Sequence, residues 1–138
     1  MSNRFNDPYF QVSNDVAGCP EPLGPLMTEE EAIRDTHHRL ERGLRCYLEK
    51  RCRHSSSYQY DAEIAASIQA AVRDKRVNVS RSTLWVLVQG RRVWIYGCVP
   101  AGYRAGTLRD GLRTIPDVEV ATEELRVGPR GKVRYRTR

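Results

Sequence analysis

Between residues 84 and 98 the apolar positions alternate on both phases at once. Leu84, Val86, Val88, Val93 and Ile95 fall on one phase, and Trp85, Leu87, Trp94, Tyr96 and Cys98 on the other. β-Branched and aromatic residues at this density predict two strands, 84–88 and 93–96, interrupted by Gln89-Gly90-Arg91-Arg92. Glycine in the first place of Gly90-Arg91 suits a two-residue type II′ hairpin turn. Successive side chains of a strand point to opposite faces, so this hairpin is apolar on both sides. One face is expected under the domain's own helices. The other, built by Trp85, Leu87, Trp94 and Tyr96, needs a cover: a partner, a second copy, or the chain's first helix.

Elsewhere the period is helical. Thr28 and Glu31 stand at capping-box spacing with Glu29 and Glu30 between them, predicting an amphipathic helix over residues 28–54. Its apolar stripe is Ile33, Leu40, Leu44, Tyr47 and Leu48, and its other faces carry Arg39, Arg42, Arg45, Lys50, Arg51 and Arg53. Such a helix packs on its own domain or lies on an anionic surface. Ser55, Ser56 and Ser57 close it. A second helix is expected from Asp61 as N-cap, burying Ile64, Ile68, Ala71 and Val72. After Pro100 and Gly102 a third runs through Tyr103, Ala105, Leu108, Leu112 and Ile115. Gly106 and Gly111 inside it fit close packing against the second helix's alanines. Val118 to Val127 reads as a last strand.

The ends differ from this core. Residues 1–27 are rich in Pro, Gly and Asn and read as an extended arm, with Phe5, Tyr9 and Phe10 as anchors. Residues 128–138 form a basic tail in which Arg130, Lys132, Arg134, Arg136 and Arg138 occur without an acid. Four of them recur at period two and would point the same way in an extended chain. A net charge of +6 in 138 residues makes an acidic partner, anionic lipid or nucleic acid, a reasonable ligand class. The residues expected to meet it are Arg39, Arg42, Arg45 and Arg53 of the helix and the five basic residues of the tail.

Candidate chemistry is sparse. Cys19, Cys46, Cys52 and Cys98 contain no CxxC pair, and the neighbourhood of His37, His38, Cys46, Cys52 and His54 does not give helical ligand spacing, so no metal or cofactor is expected. Cys98, in an apolar strand, reads as a small buried hydrophobe. Residues 1–15 hold no apolar run of signal-peptide type. Val16-Ala17-Gly18-Cys19 is like a lipoprotein cleavage box, but Asn14 and Asp15 precede it, and the match reads as chance. With no apolar stretch of about twenty residues, the expected location is cytoplasmic, peripheral to a membrane at most.

The order helix, strand, turn, strand, helix, strand over residues 61–127 resembles the BON domain. The resemblance is carried by Val86-Leu-Val-Gln-Gly-Arg-Arg-Val-Trp-Ile-Tyr-Gly-Cys-Val99 and by Ile115-Pro-Asp-Val118, with Ala121, Leu125 and Val127 at the expected steps. It departs where that family usually has Asn-Gly at the turn, Gly at Asp117 and Asn near Glu123. The resemblance implies an α+β fold, α-β-β-α-β, with a three-stranded mixed sheet and both helices on one face. It also implies the association of such domains with phospholipid surfaces, bacterial envelope maintenance and assembly of larger complexes. Its motifs are apolar residues and glycines with no catalytic content, and the chain shows no Gly-rich phosphate loop or nucleophile arrangement. The expected function is therefore a non-enzymatic binding or assembly module, an adaptor or oligomerisation unit working through Trp85, Leu87, Trp94 and Tyr96. Anionic phospholipid binding and sequence-nonspecific nucleic-acid binding are the alternatives. A protein partner or self-association is expected, and no small-molecule substrate.

Overall fold

The computed structural model describes residues 1–40, 48–50, 53–128 and 130–138. In chain order it contains β1 (Tyr9–Asn14), α1 (Glu29–Leu40), a 3-10 turn (Ser57–Tyr60), α2 (Asp61–Arg73), β2 (Thr83–Gln89), β3 (Arg92–Val99), α3 (Thr107–Leu112) and β4 (Val120–Val127). The fold is α+β, with one mixed four-stranded sheet in the order β1-β2-β3-β4. The β1/β2 and β2/β3 pairs are antiparallel and β3/β4 is parallel. The expectation of three strands is thus corrected: the arm, read only as extended, supplies a fourth.

Period two places the core as expected. Leu84, Val86 and Val88 of β2 and Val93 and Ile95 of β3 are all buried, together with Ile64, Ile68 and Ala71 of α2 and Leu108 and Leu112 of α3. Both helices therefore cover the same sheet face. Gly97 is required within β3, because a Cβ there would stand 1.9 Å from the Thr83 carbonyl oxygen of the paired strand.

Three local expectations are overturned. Gly90 and Arg91 both have positive φ, 61° and 66°, which is a type I′ turn and not the type II′ expected from glycine first. Asp61 is the first residue of α2 and not its N-cap. Its buried carboxylate accepts hydrogen bonds from the Gly90 and Arg91 backbone N–H groups, at 2.8 and 3.0 Å. Helix α3 is short, because Gly106 (φ 92°) is its N-cap and the chain from Tyr103 to Gly106 turns before it. In place of a helix turn, Glu123 of β4 accepts from the Gly106 and Arg109 backbone N–H groups and from the Tyr103 hydroxyl.

Burial raises the Asp61 carboxyl above the usual carboxylate range, opposed by the two backbone donors. Asp61→Ala removes both acceptors and strands two N–H groups at the turn. Each buried unsatisfied group costs about 1–3 kcal/mol, so a loss of roughly 2–4 kcal/mol in urea-unfolding stability is expected. Asp61→Asn, which keeps one acceptor oxygen, should lose clearly less. Equal midpoints for Asp61→Ala and the wild type would rule out this role for the carboxylate.

Candidate functional site

The second sheet face is assembled by cross-strand rows. Tyr9, Leu87, Trp94 and Thr122 form one, Gln11, Trp85, Tyr96 and Glu124 the next, and Thr83, Cys98 and Arg126 a third. Trp85 and Leu87 are buried, at 7% and 3% exposure, while Trp94 and Tyr96 are half-buried. Trp85 and Leu87 are therefore covered within the chain and are not an open partner surface.

Both chain ends contribute to the cover. Cys19 of the arm is disulfide-bonded to Cys98 of β3, across 79 positions of sequence. This corrects the reading of Cys98 as a free buried thiol, and it leaves Cys19 no free thiol for acylation. Cys46 and Cys52 lie outside the described residues. The tail folds back over the same face. Tyr135 is buried edge-on against Tyr96 at 5.5 Å and donates its hydroxyl to the Pro20 carbonyl at 2.7 Å. The Leu23 N–H donates to the Arg136 carbonyl, the Arg138 N–H donates to the Glu21 carbonyl, and Pro22 forms an antiparallel bridge with Thr137.

Helix α1 begins with the expected capping box: the Thr28 N–H donates to Glu31 Oε1, and the Glu31 N–H to Thr28 Oγ1. These bonds, first the one from the Thr28 backbone, hold the Glu31 carboxyl below its ordinary value. The inward residue of the first turns is Ala32, whereas Ile33 and Leu48, expected in the buried stripe, are 57% and 81% exposed. Leu44 and Tyr47, and the Leu40 side chain, are not described.

Arg39 is an internal clamp and not a surface cation. Its Nη1 and Nη2 donate to both carboxylate oxygens of buried Asp7, at 2.8 and 2.7 Å, and its Nε to Asp35. The guanidinium is also stacked between the Phe5 and Tyr58 rings, at 3.9 and 4.2 Å. Gln89 adds a further donor to Asp7.

The other sequence-predicted cations divide. Arg53 is paired with Glu63 and Asp117, Arg136 lies 3.8 Å from Glu31, and Arg138 lies 3.4 Å from Glu21. Arg130, Lys132 and Arg134 are exposed and make no hydrogen bond or ion pair among the described residues. Arg42 and Arg45 lie outside those residues.

Between the arm, α1, the sheet and the tail lies an open basin of about 680 Å³. Leu23, Pro25, Leu26 and Met27 form its apolar wall, Glu31, Arg34, Asp35 and His38 line it from α1, and Arg134 and Arg136 from the tail. Tyr96 and Glu124 lie on the sheet side. Burial raises the Glu124 carboxyl; burial first, and then the Glu124 charge, pushes the Tyr96 hydroxyl well above its normal range. Arg34, like Arg134, holds no hydrogen bond or ion pair among the described residues.

The sequence reading had not singled out Arg34, Tyr135 or Glu124. Nothing in the sequence marks Arg34, which has Glu30 and Glu31 at helical spacing before it: the basin exists because the two ends of the chain meet. No described helix is long and apolar enough to cross a membrane, and no three His, Cys, Asp or Glu among the described residues converge as a metal set. No protein-family model, curated protein or solved structure matches the chain.

Proposed function

We propose that this chain is a non-enzymatic binding module, BON-like over residues 61–127, whose ligand is an anionic phospholipid surface. The observation that carries the reading is the convergence of Arg34, Arg134 and Arg136 on one opening beside an apolar wall. There the acids Glu31 and Asp35 lie against Arg136 and Arg39 and leave Arg34 and Arg134 without an ion pair among the described residues. Ile33 stands exposed next to Arg34 on α1, adding an apolar contact beside the charges. Cations flanked by exposed aliphatic side chains match the headgroup and acyl boundary of a bilayer. The Cys19–Cys98 disulfide supports an oxidising compartment over the cytosol, which favours a lipid surface over nucleic acid as the polyanion. The burial of Trp85 and Leu87 supports the basic rim over the aromatic face as the binding surface.

The test is flotation with phosphatidylglycerol vesicles across a salt series, with phosphatidylcholine vesicles as control. Wild type should bind the anionic vesicles and release them as salt rises. Each cation near an anionic surface contributes about 1 kcal/mol, so Arg34→Glu/Arg134→Glu should weaken binding more than tenfold. Arg104→Glu/Arg113→Glu makes the same change in net charge at exposed positions away from the basin, and should weaken it far less. Equal losses in the two double variants would reduce the effect to net charge. Binding to duplex DNA with none to vesicles would replace this reading with the nucleic-acid one.

A further inference from the structure

β4 is an edge of the sheet: it pairs with β3 alone, and among the described residues no backbone hydrogen bond reaches its outer side. A free edge is a template for another strand, and natural edges are usually blunted by charge. Here the face away from the helices carries one charge of each sign, Glu124 and Arg126, two positions apart, while Glu123 is bonded on the helix side. Glu124 makes no hydrogen bond or ion pair among the described residues, and neither does Arg126, whose Nε is buried without a partner. A guanidinium N–H shielded from water and left unbonded is costly, so a carboxylate reaching Arg126 would be favourable.

We infer that β4 pairs antiparallel with β4 of a second copy of this chain, about a two-fold axis through Leu125. A two-fold axis perpendicular to the sheet keeps each face on its own side, so only residues of the same facing can stand opposite each other. Centring on Leu125 places Glu124 of each copy against Arg126 of the other, twice, and sets Leu125 against itself on the helix-covered face. Centring on Glu123, Glu124 or Arg126 instead opposes like charges. Centring on Thr122 leaves Arg126 opposite residue 118, outside the strand. The one register that matches unlike charges within the strand also supplies carboxylates for both unpartnered guanidinium groups and closes both β4 edges in one continuous eight-stranded sheet. This pairing uses the outer edge of β4 and not the arginine rim of the basin; it shares Glu124 with the basin's sheet side, so Arg126→Glu, outside the basin lining, is the variant that separates the two readings.

Sedimentation velocity of the full chain from micromolar to millimolar concentration should show a monomer–dimer equilibrium. Opposite cross-strand charges are favourable and like charges unfavourable, and each reversal acts at two symmetric sites. Arg126→Glu and Glu124→Arg should therefore each weaken dimerisation about tenfold or more. The double swap Glu124→Arg/Arg126→Glu should restore it to within about threefold of wild type. All three positions of comparison are read only for variants that melt like the wild type. Leu125→Cys gives an independent reading of register: directly opposed strand residues have Cα atoms about 4.5–5.5 Å apart, within disulfide reach. Mild oxidation should yield a 125–125 cross-linked dimer, identified by peptide mass. A wild type that stays monomeric at millimolar concentration, single reversals without effect, a double swap that fails to restore, or a cross-link absent at 125 would each overturn the proposal.

Discussion

Ile95→Asp is expected to abolish the cooperative unfolding transition. Ile95 is 1% exposed, opposite Val86 in β2 and beneath both helices. Its register neighbour in β4 is Glu123, on the same face, so a new carboxylate would meet a like charge as well as an apolar core. An unpaired buried carboxylate costs several kcal/mol, comparable with the roughly 5–15 kcal/mol that holds a whole domain together. Near-UV circular dichroism of Trp85 and Trp94 should flatten at room temperature. Ile95→Val, which removes one methylene, should cost only about 0.5–1.5 kcal/mol. If the aspartate variant kept a wild-type melting curve, the assignment of this face to the helices would be wrong.

The second large effect belongs to the disulfide. In the chain-entropy view a bond closing a loop of this length stabilises by about 4–5 kcal/mol, by restricting the unfolded chain. For a chain of this size that is roughly a 14–17 °C fall in Tm for Cys19→Ser/Cys98→Ser. The loss should be accompanied by readier proteolysis of the arm, because Cys19 and the Tyr135–Pro20 hydrogen bond fasten the same segment to the sheet. A Tm within a degree or two of wild type, with intact-mass analysis showing no oxidised 19–98 pair in the parent protein, would remove the bond from the fold.

What could be read from sequence was local. Period-two alternation over residues 84–96 assigned the core face correctly, since every residue on that phase needs only its own strand to determine where it points. The turn type escaped the same reading. Arg91 is held at positive φ at a turn gripped by the Asp61 carboxylate from 29 and 30 positions away, and no local propensity encodes that. Strand β1 was hidden for a similar reason. Its six residues sit among prolines and glycines, and they become a strand only beside β2. Ile33 looked like the anchor of α1 by hydrophobicity, yet Ala32 is the residue that faces inward. The basin was the least legible feature. Arg34 and Arg134 are a hundred residues apart in sequence (134 less 34), and only the meeting of arm and tail brings them to one opening.

The late partner of β1 also matters for how the chain is made. Ser13 and Ser82, hydrogen-bonded to each other at the β1/β2 junction, are 69 positions apart. At translation rates of about 5–20 residues per second, β1 leaves the ribosome roughly 3–14 s before its pairing strand exists. During that interval Phe5, Tyr9 and Phe10 have no sheet to rest on, and Cys19 has no Cys98 to meet. The nascent arm is thus an aromatic, unpaired segment that waits for the rest of the polypeptide before the fold can close over it.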